Sequence, residues 1–351
     1  MRKTLFILAL SALASGASAQ MGSDPQFSFY NRNTLNVNPA LAGQSDAKWQ
    51  VQNFFREQAY VISQPFTSGG MNLDINLPIN AWSGNIWGVG LSFIGDEQGD
   101  TRLRNFYGSA TIAVGQYLDP REKHSISIGI QAGMAQRYNR YTDIYWDNQW
   151  AGDRFNLRRP TGENLQFLGD LQRYFDLSTG VQYSYDGDLM DMTAGYAAYH
   201  ANSPDASLYI DTSLYSLLTR HTVHWRMEHR LRKDNMMALV PSFMATRQGK
   251  TNNIIFGNDF KFYFNEATRV TGKRKLYSMS LGVHHRLLKD VIGSIMFDLA
   301  GWSFGAAYDV SVGSINKLNG YQGAWEVMLG YRAGFRKGSN AKYMPHRKGK
   351  L

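Results

Sequence analysis

The chain carries 351 residues, 37 Lys and Arg against 28 Asp and Glu (formal charge +9), 34 Gly, 20 Tyr, 19 Phe and no Cys. Without cysteine there is no disulfide framework, thiol nucleophile or zinc–thiolate centre. Mean hydropathy is −0.37, and after the first twenty residues no run of about 18 uncharged apolar residues could form a membrane helix. Two classes remain: an exported soluble β-protein, or a transmembrane β-barrel whose strands turn only half their residues to lipid.

In chain order, Arg2 and Lys3 precede an apolar run, Thr4–Ala14, which ends in Ala17-Ser18-Ala19. This is the pattern of a secretory signal peptide, 1–19, with cleavage expected between Ala19 and Gln20. Loss of Arg2 and Lys3 takes the charge from +9 to +7. A leader, 20–47, follows with no periodicity. Asn31, Asn33, Asn36 and Asn38 compete for backbone hydrogen bonds, and Pro25 and Pro39 each lack a donor. A segment this polar cannot lie in lipid, and Phe27, Phe29 and Tyr30 disfavour free solvation. It is expected to pack into the periplasmic end of a lumen or to form a partner site there, its Asn side chains bonding the wall.

From residue 48 the sequence alternates. Fourteen runs read as strands: 48–62, 68–78, 84–95, 105–118, 123–138, 172–185, 189–200, 219–232, 236–248, 252–265, 275–287, 290–300, 301–312 and 322–333. Asp119-Pro120, Asp186-Gly187, Gln248-Gly249 and Asn319-Gly320 mark turns between them. With no helical run intervening, the expected fold is all-β: an antiparallel up-and-down transmembrane barrel of about 14 strands over 48–335. Gly129, Gly133, Gly305 and Gly330 fall on the polar faces, where a crowded lumen favours small residues. Tyr117, Tyr138, Tyr183, Tyr185, Tyr199 and Trp225 near run ends suit interfacial girdles.

Arg140–Gly169 breaks the meander. It carries Tyr141, Tyr145, Trp146, Trp150, Arg154, Arg158 and Arg159, residue types that form binding hot spots. By strand count it joins an odd strand to an even one, which makes it a candidate extracellular partner loop, with a loop folded into the barrel mouth as the alternative. Ala201–Ser216 falls on the same side. The chain ends in a basic tail, 336–351, with Arg336, Lys337, Lys342, Arg347, Lys348 and Lys350 and no acid after Glu326. A solvated tail and a contact with an acidic partner or anionic headgroups both fit it. An exported chain is not expected to meet nucleic acid.

No chemistry is specified. His221 and His229 share one strand face and His224 the other, while His284 and His285 point apart, so no metal set forms. Gly95–Asp100, "GDEQGD", lacks the spacing of a calcium loop and reads as a polar turn. No Ser is singled out for a barrel-wall lipid hydrolase. Catalytic residues, cofactors and metals are therefore all assigned as none. A porin or transporter with an open polar lumen remains the alternative function, and the hydrolase a third.

Certain segments resemble the PorP/SprF family of outer-membrane proteins of the type IX secretion system and its gliding machinery. Asp24-Pro25-Gln26-Phe27-Ser28 and Asn38-Pro39-Ala40-Leu41-Ala42-Gly43 are similar to its N-terminal pattern, with Asp24, Pro25, Gln26, Phe27, Asn38, Pro39, Ala40 and Gly43 carrying the signature. "NFFREQ" (53–58), "YAAYHANSPDAS" (196–207), "RHTVHWRMEHRL" (220–231), "ALVPSFMATRQG" (238–249) and the hairpin 306–331 resemble its strands. Phe29, Phe55-Arg56-Glu57, Ala201–Pro204 and the basic tail depart from it. The resemblance implies a non-enzymatic outer-membrane barrel that supports secretion or surface attachment of large proteins. Its implied partners are secreted adhesins or cargo with a C-terminal type IX signal domain, periplasmic ring lipoproteins, a peptidoglycan-binding protein and outer-membrane lipid.

Overall fold

The computed structural model describes residues 24–45, 47–58, 64–77, 85–99, 102–139, 145–162, 171–187, 189–208, 216–231, 236–264, 277–313 and 320–333. Ala19 and Gln20, Tyr141 and the basic tail lie outside these residues. The described residues form fourteen strands: β1 (Trp49–Gln58), β2 (Phe66–Leu77), β3 (Asn85–Gln98), β4 (Leu103–Tyr117), β5 (His124–Tyr138), β6 (Leu171–Asp186) and β7 (Met190–Tyr199), then β8 (Arg220–Arg230), β9 (Met237–Gln248), β10 (Thr251–Tyr263), β11 (Tyr277–Arg286), β12 (Asp290–Leu299), β13 (Trp302–Ser311) and β14 (Gln322–Ala333). Each pairs antiparallel with its sequence neighbours, and β1 pairs β14 from Trp49↔Ala333 to Gln58↔Ala324, which closes the barrel. We call the end holding Trp49 and Ala333 the closure end, and the other the far end.

Alternation decides which side of the wall is dry. On β5, Ile128 and Ile130 are 59% and 60% exposed, while Gln131 between β4 and β6 is wholly buried. On β14, Val327 and Leu329 point out, and Glu326 points in with 1% exposed. A soluble sheet would bury its apolar face. Here the apolar face is the outside and the polar face the inside, the arrangement hydrocarbon solvent requires. The shortest strands have ten residues, about 33 Å of chain, which at the usual barrel tilt spans an apolar band of about 25 Å. Trp49, Trp302 and Tyr331 form an aromatic group at the closure end, with Trp302 and Tyr331 centroids 4.7 Å apart. Among the described residues, no helix is long and apolar enough to cross a membrane.

Two local expectations change. Gly95–Gln98 is the last part of β3, not a turn. Asp96 points inward and accepts a hydrogen bond from the Ser68 hydroxyl at 2.7 Å, while Glu97 pairs with Arg104 on β4. Tyr199 is no girdle residue. It is buried in the lumen, and its hydroxyl donates to the Leu35 carbonyl at 2.9 Å. Pro241 lies inside β9, and the β8–β9 ladder skips Met227 and Glu228, where a missing N–H costs least.

Candidate functional site

The lumen is occupied by the chain's own leader. Residues 27–30 form turns, Thr34–Val37 a single helical turn, and Pro39–Leu41 a 3-10 turn whose first N–H, from Ala40, is capped by the Asn38 side chain at 2.9 Å. Short turns suit this site. They leave backbone groups that polar wall residues must satisfy.

The leader runs from one end of the barrel to the other, further than packing at one end would require. At the far end, Asp24 accepts from Arg220 (2.7 Å) and His200 (3.0 Å). Next, the Glu326 carboxylate accepts the N–H groups of Ser28 (2.5 Å) and Phe29 (3.1 Å), and the Ser28 hydroxyl donates to Asp309 (2.7 Å). Tyr30 bonds Ser242, and Arg32 reaches Asp298 towards the closure end. The Gly43 N–H donates to Asp74 (2.6 Å), while its carbonyl accepts from Asn76 (2.6 Å). The four Asn side chains all meet the wall: Asn31 with Asp259, Asn33 with Asn72, Asn36 with Ser92 and Asn38 with Val181 and His224.

Wall glycines make room for this path. A Cβ on Gly129 would overlap the backbone of Pro39 and Ala40, one on Gly88 that of Ala42, and one on Gly180 the Asn38 side chain. Gly305 faces the Phe29 ring. Gly133 and Gly330, by contrast, face wall side chains, so only part of the lumenal glycine content serves the leader. Phe27, Phe29, Tyr30 and Val37 form the core with Phe54, Ile255, Ile292, Met296 and Met328, an apolar centre within an otherwise polar lumen.

Charge is gathered at two levels near the far end. Arg56 pairs with Asp309 (2.7 Å) and Glu326 (3.4 Å), and Arg286 with Asp309 (3.1 Å) and Asp290 (2.7 Å). Arg56 also donates to the Ser28 hydroxyl. Such buried pairs hold only when every partner is present. The second group is Asp24, His200, Asp176 and Arg220. Burial works against the charged form of His200, but Asp24 and Asp176 (2.9 Å) outweigh it and push its pKa up to about 9. Burial likewise opposes charge on Asp24, and Arg220 with His200 holds its carboxyl well below the usual carboxylate range. Arg220 further donates to the Asn36 carbonyl and lies 4.1 Å over the Tyr199 ring.

A cavity of about 120 Å³ opens over the leader at the far end, lined in part by Asp24, Phe27, Asn105, Tyr107, Arg137 and Tyr174. At the same end of the barrel, between β5 and β6, lies the described part of the long connection, 145–162. Tyr145 and Trp150 are exposed and each packs on Phe155, at 4.9 and 5.0 Å between centroids. Trp146 is half-buried at the start of a 3-10 turn, Arg159 donates to the Trp150 carbonyl at 2.7 Å, and Arg154 and Arg158 are exposed. The structure therefore brings Tyr145, Trp150 and Arg159 together. Asp24, Pro25, Gln26 and Phe27 line the far-end cavity, while Asn38, Pro39, Ala40 and Gly43 lie deeper, against β2, β3, β5 and β6. Sequence reading does not find Arg56, Arg286, Asp309 and Glu326, because they are brought together from four strands. Among the described residues, no group of three or more His, Asp or Glu could hold a metal.

Comparisons with known proteins agree on the fold and identify the family. The toluene transporter TbuX of Ralstonia pickettii is similar in structure, with TM-score 0.52 and 10% identity over 86% of this chain and 93% of that one. The toluene transporter TodX of P. putida (TM-score 0.47, 9% identity, 88% and 95% covered) and a Pseudomonas aeruginosa FadL homologue (0.43, 9%, 84% and 92%) are more distant. At these identities the likeness concerns the fold alone. No curated protein sequence matches the chain significantly. The profile described as type IX secretion system membrane protein PorP/SprF matches residues 19–331, leader and barrel together. The chain belongs to the PorP/SprF family of type IX secretion system membrane proteins.

Proposed function

We propose that this protein is a non-enzymatic outer-membrane component of the type IX secretion system that supports secretion or surface attachment of large secreted proteins by protein–protein contact. The observation that carries this reading is the filled lumen. An open-lumen transporter needs an aqueous path along the barrel, and the leader's wall bonds from Asp24 to Gly43 occupy that path. What the chain leaves available are its two ends.

In this reading Ala19–Gln20 is the cleavage site, and both ends of the barrel-forming chain face the periplasm, as an even strand count favours. The far end then faces outward and presents the loop 140–169 to a secreted adhesin or cargo bearing a C-terminal type IX signal domain. Exposed Tyr145, Trp150 and Phe155 next to Arg154, Arg158 and Arg159 support this choice of surface. The closure end and the basic tail, 336–351, face the periplasmic ring lipoproteins and a peptidoglycan-binding protein. Deleting 140–169 in cells tests the reading: the adhesin should appear in the medium, and unchanged surface retention sinks it.

A further inference from the structure

Strand lengths around the barrel are unequal at the far end. β5 pairs β6 along its whole length, up to Tyr138↔Leu171, but β7 pairs β6 only from Asp186↔Asp191 to Thr179↔Ala198. Among the described residues, Leu171–Ser178 thus has a strand on one side and none on the other, leaving about 25 Å of sheet edge. The start of the β7–β8 connection covers part of it. The Ala201 N–H donates to the Leu177 carbonyl (2.7 Å), the Leu177 N–H donates to the Asn202 side-chain oxygen (3.0 Å), and the Asn202 side-chain nitrogen donates to the Phe175 carbonyl (2.8 Å). One side-chain amide stands in for one peptide group of a strand. The connection then turns inward, where Gln172 donates to the Asp205 carbonyl and Arg137 to that of Ala206.

Backbone groups of a strand alternate between its two neighbours. Because Leu177 and Phe175 bond towards the β7 side, the N–H of Phe175 and both groups of Arg173 and Leu171 point the same way. Among the described residues none of these has a partner. Edges of this kind are normally blunted with charge or proline, since they template pairing with another chain. Here the outward side chains are Leu171, Phe175 and Leu177, all exposed, with Arg173 the one charge among them.

We infer that the far-end edge of β6 is a strand-addition site. It accepts an extended segment of a secreted protein, antiparallel to β6 and in line with β7, held chiefly by backbone hydrogen bonds. Apolar residues at alternate positions of that segment meet Leu171 and Phe175, and an acidic residue suits the place opposite Arg173. This deepens the function proposed above and rests on its assignment of the far end to secreted partners.

The test uses the full-length protein in cells with an epitope-tagged secreted protein that bears the system's C-terminal signal domain. A photo-crosslinking residue at position 173 should capture it, and one at outward, mid-wall position 128 should not. Arg173→Pro removes an N–H that the β5 ladder does not use, so the barrel keeps its heat-modifiable gel migration. From a crosslinker at position 175, Arg173→Pro should lower capture at least tenfold, while Arg173→Ala keeps it within twofold. No capture at 173, or equal loss in Arg173→Ala and Arg173→Pro, overturns the assignment. So does a crosslink from 175 into residues 209–215 of the same chain, which would show the edge covered from within. If deleting 140–169 releases the secreted protein while Arg173→Pro leaves it attached, the edge assignment fails and the wider reading stands. If neither releases it, the wider reading fails.

Discussion

Glu326 is the side chain on which the leader's docking most directly depends. Its carboxylate accepts two consecutive backbone N–H groups, from Ser28 and Phe29, in a buried setting. Glu326→Ala strips both donors of their acceptor. Each buried unpaired group costs about 1–3 kcal/mol, and water entering from the far mouth recovers part of it, so the docked leader loses about 3 kcal/mol. That is roughly a 150-fold rise in the undocked fraction. Arg56 also loses its pairing with Glu326 but keeps Asp309, so two Arg remain balanced by Asp309 and Asp290 and the main loss is the two N–H acceptors. Glu326→Gln keeps one acceptor and should cost about a tenth as much in that ratio. Arg32 lies within the leader and pairs with Asp298, so trypsin cuts there only when the leader leaves the wall. When opening is fast relative to cutting, the rate of release of the fragment ending at Arg32 follows the undocked fraction. Cleavage at exposed Arg154 serves as the internal control. A Glu326→Ala barrel that is cut at Arg32 no faster than the wild type refutes the reasoning.

Other outcomes follow from the same contacts. Gly129→Val places side-chain atoms against the Pro39–Ala40 backbone; overpacking of this kind costs about 1–3 kcal/mol and should raise cleavage at Arg32 with the barrel intact by gel migration. Asn38→Ala leaves the Ala40 N–H without its acceptor and removes the Asn38 donor from the Val181 carbonyl, and should cost about 2 kcal/mol, read as a lower midpoint in a thermal proteolysis series. The far-end contact of Asp24 should depend on pH in two directions. His200, raised to about 9 from 6.5, contributes stability that is full below about 6.5 and lost as pH rises through about 9. Asp24, held below its ordinary value, contributes stability that is present above that value and lost in strong acid. Labelling of a cysteine introduced at Gln26, in a chain with no native Cys, divided at each pH by the rate for the same cysteine in the unfolded chain, should therefore be slowest between these limits, and His200→Gln should flatten the alkaline rise of that ratio.

The barrel was legible because a strand has a period of two and lipid enforces it. Ile126, Ile128 and Ile130 against Ser125, Ser127 and Gly129 show both faces in six residues. Acids and glycine make Gly95–Gln98 look like a turn, yet inside a polar lumen Asp96 is an ordinary wall residue. Tyr199 is ambiguous for a related reason: a tyrosine near a strand end suits either the interface or the lumen, and only the direction of its strand face decides. The leader's composition showed that it must find polar partners. Its course did not follow, since Glu326 lies 298 positions from Ser28 and no periodicity links them. Arg56 and Asp309, 253 positions apart, are hidden for the same reason.

The barrel is filled by its own leader and is proposed to work through contact at its ends. Single-channel recording of the purified full-length protein in planar bilayers tests it most directly. Wild-type insertions should be near-silent, and stable conductance steps should appear once residues 24–43 are removed. Large steps from the intact chain, unchanged by that deletion, would contradict the filled lumen.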